Sequence, residues 1–444
     1  MQKTDQQSKK LPSSRWTSYD GWDYNGMKER LETFMARINK SPLVGHAEEL
    51  TGKSVSMSEP FSAGQFWCCF ELVDADGTLL IARVRLPRHP DSNDRVDERS
   101  EIYAIECEAA TMEFLGESIE GVPFPRLHAY EGPSSQRAAD VGATYMLIEG
   151  FFGNTLQDVQ FDICTLPVNV QDHIITQWTR IQAELASFTF PTIGSISRFS
   201  KDTGAVIDRL CVAEAEGFDK CGPFASSEAY FAAVGRARYL QACKENEGDG
   251  GEGDVFSRLG PYIFHDIVNK TALFNGPSNY GPFHFNHMDM GTQNILVDDD
   301  FNFLAIIDWE FAQSAPWEVN HFPMPFPLTS SDKEIEDILK DPGDIAYPNV
   351  SRQHNTRQMY RRAFEKAEKE LELSGRPLKT SIASVLEGPA SRIYGILEKI
   401  DVFPGQAESL TYEMVRLAFE KEGEEATKYV EKMKTEMGSE SVED

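Results

Sequence analysis

The stretch His284-Phe285-Asn286-His287-Met288-Asp289-Met290-Gly291-Thr292-Gln293-Asn294-Ile295-Leu296-Val297-Asp298, followed shortly by Leu304-Ala305-Ile306-Ile307-Asp308-Trp309-Glu310, decides the reading of this chain. By residue type it runs polar loop, short apolar strand, acidic turn, second apolar strand, then a carboxylate. Packing alone would favour another apolar residue at position 308. A carboxylate that ends an apolar strand is costly unless it is paired or bound to a metal. A two-strand hairpin of this kind is expected to present Asp289, Asn294 and Asp308 at one end.

His-x-Asp-x-x-x-x-Asn with a strand-borne Asp downstream is the pattern of loops that carry phosphoryl transfer. Asp289 is the expected catalytic base, accepting a hydrogen bond from an attacking hydroxyl. Asn294 and Asp308 supply oxygens suited to a hard cation such as Mg²⁺, and His287 is expected to brace the loop. A rival chemistry reads His284, His287 and Asp289 as a His-x-x-His-x-Asp transition-metal site. That rival leaves Asn294 and Asp308 unexplained.

Phosphoryl transfer also needs a nucleotide site, and the preceding sequence offers one. Ser62-Ala63-Gly64-Gln65-Phe66 lies at a strand-turn-strand corner, where backbone N–H groups and the Ser62 hydroxyl are placed to face phosphates. Cys68–Val73 and Leu79–Leu86 read as strands around the turn Asp74-Ala75-Asp76-Gly77-Thr78. Arg83 and Arg85 stand two apart in the second strand and so share one face. Arg83 is favoured as the phosphate cation, with Glu108 on the following helix (about 102–115) as its holder and Glu106 as the fallback. Tyr145-Met146-Leu147-Ile148-Glu149-Gly150-Phe151 has the character of a strand leading into a hinge. Backbone groups from Glu149 to Phe151 would there bond a nucleotide base.

Composition bounds these readings. The 444 residues carry a formal net charge of -28 and six tryptophans, which fits a globular chain and opposes general nucleic-acid binding. The acidity is permissive for a cationic substrate. Seven scattered cysteines form no C-x-x-C pair, so neither a disulfide framework nor a zinc knuckle is expected. No apolar run reaches membrane-spanning length, the first residues lack an apolar signal core, and a cytoplasmic protein without a membrane or protein partner is the expectation.

Along the chain, residues 1–45 are expected to form an arm and an amphipathic helix carrying Met27, Leu31, Phe34, Met35 and Ile38, preceded by Trp16, Tyr19, Trp22 and Tyr24. Residues 46–150 read as a strand-rich nucleotide-binding region with one helix, including strands at 126–130 and 144–149 separated by a Gly/Ser/Ala loop. Residues 151–436 read as mostly helical, with a buried helix around Ile174–Leu185, an insertion at about 191–280 holding the low-complexity run 245–254, and three closing amphipathic helices. Residues 437–444 read as a disordered acidic tail. Strands first and helices after them make the fold class α+β, with two lobes rather than alternating βαβ units.

With these residues in place, the chain resembles the aminoglycoside phosphotransferase-like (APH-like) small-molecule kinases, and especially their fungal branch. The resemblance rests on His287-x-Asp289-x4-Asn294 with Ile306-Ile307-Asp308-Trp309-Glu310. Softer support comes from Glu108-Ala109-Ala110-Thr111-Met112, Val122-Pro123-Phe124-Pro125, Tyr145–Gly153, Ile193-Gly194-Ser195 and Gly222-Pro223-Phe224. It implies a bilobal protein-kinase-like fold, ATP or GTP with Mg²⁺, and transfer to a small-molecule hydroxyl. It carries the base role to Asp289, the metal roles to Asn294 and Asp308, and the cation–carboxylate pair to Arg83 and Glu108. Arg83 departs from the usual Lys, and the 62–66 loop is poor in glycine. The alternative implied by those departures is a nucleotide-binding pseudokinase of the same fold.

Overall fold

The computed structural model describes residues 11, 27–64, 66–87, 96–248, 255–323, 332–400 and 402–439. The aromatic cluster Trp16–Tyr24, Gln65, most of the charged loop after Pro87, residues 249–254 of the low-complexity run, residues 324–331 and the extreme tail lie outside that set. The chain divides into two compact units. One comprises Met1–Gln160, Phe199–Asp202 and Thr292–Trp309; the other comprises Phe161–Arg198, Thr203–Gly291 and Glu310–Asp444.

The first unit is built on an antiparallel five-stranded sheet in the order Val55–Ala63, Trp67–Asp74, Leu79–Arg85, Tyr145–Glu149, Leu127–Glu131. Side-chain alternation sorts its faces. Leu80, Ala82 and Val84 are buried together with Phe70, Leu72, Tyr145 and Leu147 against Met27, Leu31, Phe34, Leu43 and Ala47 of two N-terminal helices. Ile81, Arg83 and Arg85 therefore point to the opposite face, which belongs to the long helix Glu98–Ser118. Asp97 caps that helix by accepting a hydrogen bond from the Ser100 N–H at 2.8 Å, and Glu98 and Glu101 in its first turn suit the positive end of its dipole. The segment read as a Gly/Ser/Ala loop contains a short helix, Gln136–Val141, capped by Ser135.

The expected apolar hairpin is present as Ile295–Val297 paired with Phe303–Ile306. Its acidic turn is closed by Asp298, whose Oδ1 accepts from the N–H groups of Asp300 at 2.9 Å and Asn302 at 2.8 Å. A third strand, Asn154–Thr155, joins through Val297. Gly153 lies directly under it, because a Cβ there would collide with the Val297 carbonyl oxygen.

The second unit is mostly helical. A five-stranded sheet in the order Thr189–Phe190, Phe283–Asn286, Gln313–Ala315, Gly194–Ser200, Gly204–Asp208 gives it a floor. Helix Val168–Ala186 pairs with the long helix Tyr347–Leu373: Tyr360 donates to Gln182 Oε1 at 2.5 Å, and its ring meets Trp178 edge-on at 6.0 Å. Two further helices, Ser227–Gly248 and Val255–Lys270, fall within the span 191–280, and their Phe231 and Phe264 pack with Phe274 at 4.5 and 5.5 Å. Three closing amphipathic helices were expected at the C-terminal end; the structure adds Asp332–Lys340 and the deeply buried Pro389–Ile400. The α+β reading holds, with strands dominant in the first unit and helices in the second. Among the described residues no helix is long and apolar enough to cross a membrane.

Gly153→Ala is expected to destabilise the protein by about 1–3 kcal/mol through overpacking against the hairpin backbone. Urea unfolding monitored by tryptophan fluorescence measures this, and an unchanged midpoint would show that the strand can move aside.

Candidate active site

In the first unit, strand register places Arg83 opposite Cys69 on one side and Met146 on the other. From there the guanidinium meets Glu108 of helix Glu98–Ser118: Nη1 donates to Glu108 Oε1 in a very close contact. Its other terminal nitrogen, Nη2, lies 3.6 Å from Asp308 Oδ1, and the group sits 4.7 Å over the Trp67 ring. Glu108 is 1% exposed and Arg83 12%. Burial works against the Arg83 charge, but Glu108 and then Asp308 outweigh it and raise the guanidinium pKa. Burial likewise pushes the Glu108 carboxyl above its usual range while Arg83 opposes the shift, and its second oxygen is buried without a hydrogen-bond partner. Glu106, the fallback holder, is exposed. Arg85 stacks instead over Phe66 at 4.6 Å.

Asp308 has left-handed backbone geometry, with φ at 65°. A non-glycine residue held there stores strain, and such strain concentrates at functional positions. Its neighbours fix it: Ile307 N–H donates to the Asn294 carbonyl at 2.9 Å, and Trp309 Nε1 donates to the Ile306 carbonyl at 2.9 Å. Asn294 is thereby set at the same end of the hairpin, on the neighbouring strand, and is buried. The Asp308 side chain remains 38% exposed. Two protein oxygen donors suit Mg²⁺, which keeps several waters and binds through one or two protein ligands together with substrate phosphates.

The remaining first-unit candidates are less distinctive. Ser62 pairs with Cys69 at the end of its strand. The Gly64 N–H is engaged by the Trp67 carbonyl at 2.9 Å, so it serves the hairpin. Glu149 N–H donates to the Arg126 carbonyl and Gly150 N–H to that of Leu79, each at 2.9 Å, and Phe151 is half-buried just beyond.

Asp289 lies outside the apolar hairpin, in the second unit, and its placement depends on a histidine. Burial draws His284 down to about 4, so the ring is neutral. Nδ1–H then donates to the Ala315 carbonyl at 2.9 Å, and Nε2 accepts from the amides of Asn286 and Asn320, each at 3.0 Å. The ring stacks on Trp317 at 4.5 Å. Asn286, so oriented, accepts from the Met288 N–H at 2.7 Å, and Met288 turns through φ 65° to present Asp289. With both ring nitrogens of His284 committed, the His284–His287–Asp289 transition-metal reading fails. Among the described residues, no group of three or more His, Cys, Asp or Glu could hold a metal ion. His287 is 1% exposed.

Asp289 borders a cavity of about 200 Å³ within the second unit. Its other charged walls are Glu216, Glu398 and Arg238, and its aromatic walls include Tyr230, Tyr394 and Phe311. Arg238 is committed to Glu398 at 3.2 Å. Burial raises the Glu216 carboxyl to about 7, with Arg238 opposing and Glu398 adding to the shift. Sequence reading missed these residues because they come from well-separated segments with no shared motif.

No protein-family model matches the chain, and no curated protein matches it. Solved structures do. A candidate fructosamine-3-kinase from Thermobifida fusca is 15% identical, covering 85% of this chain and 99% of its own, with a TM-score of 0.44. A macrolide 2'-phosphotransferase from Brachybacterium faecium is 13% identical, covering 86% and 99%, with a TM-score of 0.36. A glucosamine kinase solved with glucosamine, ADP and inorganic phosphate is 11% identical, covering 86% and 99%, with a TM-score of 0.36.

Arg83→Met is expected to cost about 3–5 kcal/mol, because it strands the buried Glu108 carboxylate. Adding Glu108→Leu should recover most of that loss. Denaturant midpoints of the two variants test the coupling, and equal losses in single and double variants would refute it.

Proposed function

We propose that the protein is an ATP-dependent phosphotransferase of the APH-like kind, with GTP as a possible second donor, which moves the γ-phosphate to a hydroxyl of a small cationic molecule. The observation that carries this reading is Arg83 ion-paired at once to a helix carboxylate and to a strand-end carboxylate in strained backbone. Structural stabilisation alone does not call for that arrangement, since a buried pair is weak evidence for stability. It suits a cation that grips nucleotide phosphates while Glu108 holds it in place.

In this reading Arg83 binds the phosphates, the Ser62 hydroxyl contacts them, and backbone at Glu149–Phe151 bonds the base. Asn294 and Asp308 would hold Mg²⁺, which when bound neutralises phosphate charge. Asp289 accepts the proton of the acceptor hydroxyl as that oxygen bonds to the γ-phosphorus and the nucleoside diphosphate leaves. The acceptor cavity favours a cation: Asp289, Glu216 and Glu398 face only Arg238 among its charged walls. The electron-rich faces of Tyr230 and Tyr394 add to that preference.

Transfer from γ-labelled ATP and GTP to a panel of small amino alcohols and matched neutral alcohols tests the reading. Transfer to the amino alcohols is expected, and Asp289→Asn should lower it about 10²-fold or more while Mg·ATP binding persists. Nucleotide binding with neither transfer nor hydrolysis would make the protein a non-catalytic binder.

The acceptor pocket generates a pH signature. Glu216 is neutral below about 7 and ionised above it, so affinity for a cationic acceptor should rise between pH 6 and pH 8. Glu216→Gln should flatten that rise and raise KM without a matching fall in kcat. A pH profile unchanged by this substitution would remove Glu216 from the acceptor site.

A further inference from the structure

Strand Trp67–Asp74 alternates in a way that sets one aromatic residue apart from the apolar core. Cys68, Phe70 and Leu72 turn toward the N-terminal helices, so Trp67 and Cys69 turn to the opposite face, which is the face of Arg83. The indole is nonetheless only 6% exposed. Trp67 stands directly opposite Arg85 in the strand register and diagonal to Arg83. The Arg83 guanidinium lies 4.7 Å from the centre of its ring and the Arg85 guanidinium 5.3 Å. Arg85 also lies 4.6 Å over the ring of Phe66, the last residue of the loop expected to face phosphates. Phe66, Arg85, Trp67 and Arg83 thus form one alternating series of rings and guanidinium groups along the sheet.

The indole N–H shows which part of Trp67 matters. Nε1 is buried and, among the described residues, has no hydrogen-bond partner. A buried tryptophan usually finds a partner for that group, and a stranded donor lowers stability. A phenyl or aliphatic side chain would occupy the strand without stranding a donor. What tryptophan offers in return is the ring face that attracts a cation most strongly.

Arginine suits that face better than the lysine usual at position 83. A guanidinium can lie flat on a ring while its N–H groups point outward in its own plane. Arg83 does both: Nη1 reaches Glu108 and Nη2 lies 3.6 Å from Asp308, while the contact with Trp67 is kept. Contacts at its edge alone leave the plane free to tilt, and a ring against its face removes that freedom.

We propose that Trp67 is a positioning residue of the nucleotide site: its ring face sets the plane in which Arg83 presents its terminal nitrogens to the phosphates, and through Arg85 it ties that plane to Phe66 in the phosphate-facing loop. The role rests on the phosphotransfer reading of Arg83. It also gives the arginine a reason, since a lysine ammonium has no plane to set.

Isothermal titration of the full-length protein with Mg·ATP tests the proposal. Trp67→Phe keeps a ring face and drops the N–H, and it should bind within about threefold of the unaltered protein. Trp67→Leu and Trp67→Met remove the face, the methionine filling more of the space, and each should bind about fivefold or more weaker. Melting temperatures above the titration temperature establish that each variant is folded, and if the leucine variant unfolds the methionine variant carries the comparison. In an Arg83→Lys background the same loss of the ring should change affinity by less than about twofold. A loss of sheet order would instead weaken binding equally in both backgrounds. Undiminished affinity without the ring face, a loss in Trp67→Phe as large as in the other two variants, or the same loss in the Arg83→Lys background would overturn the positioning role and leave the phosphotransfer reading in place. Failure of the unaltered protein to bind Mg·ATP would overturn both.

Discussion

A guanidinium sunk among carboxylates organises the strand-rich unit. Arg83 leaves the sheet on the face opposite the N-terminal helices, and Glu108 waits for it on the helix that covers that face. A lysine would bring a single point of charge. The arginine fork instead places one terminal nitrogen on Glu108 and the other toward Asp308. The departure from lysine therefore has a geometric counterpart: one side chain is engaged by two carboxylates from two separate elements. Such a pair adds little to stability after desolvation, and its value lies in fixing where the charge stands.

The helical unit orients its carboxylate by a different device. His284 is buried and neutral, and each of its nitrogens has one assigned role. The hydrogen bonds run from histidine to asparagine to the Met288 backbone, and Asp289 follows. A protonated His284 could not accept from the two amides, so burial, by keeping the ring neutral, preserves the loop. Helix Pro389–Ile400 is equally economical, contributing to the walls of two cavities.

Much of this was legible in the chain. The strands read at 68–73 and 79–86 are present at Trp67–Asp74 and Leu79–Arg85, and a carboxylate closing an apolar strand marked Asp308 as a residue that packing alone does not explain. Two arginines two apart, followed by a glutamate well inside a helix, were enough to suggest an ion pair. Other parts were hidden for physical reasons. Helix Val255–Lys270 carries Gly260-Pro261 in its interior, a pair that normally argues against a helix, and packing overrides it. Helix Pro389–Ile400 is short, and its character comes from burial on several sides. The short helix Gln136–Val141 rests on a serine cap that resembles an ordinary loop residue.

The sequence by itself determined the residue types and local periods. These included an α+β order, a hairpin bearing Asn294 and Asp308, and a loop bearing Asp289, because strand alternation and motif spacing are local properties of the chain. Only the tertiary structure decided which side chains share an environment. Glu216, Tyr230 and Tyr394 gather around Asp289 from segments far apart in sequence. Desolvation and the approach of like or opposite charges exist only after the chain has folded. The shifts at Glu216 and His284 therefore belong to the fold, while the groups that undergo them belong to the sequence.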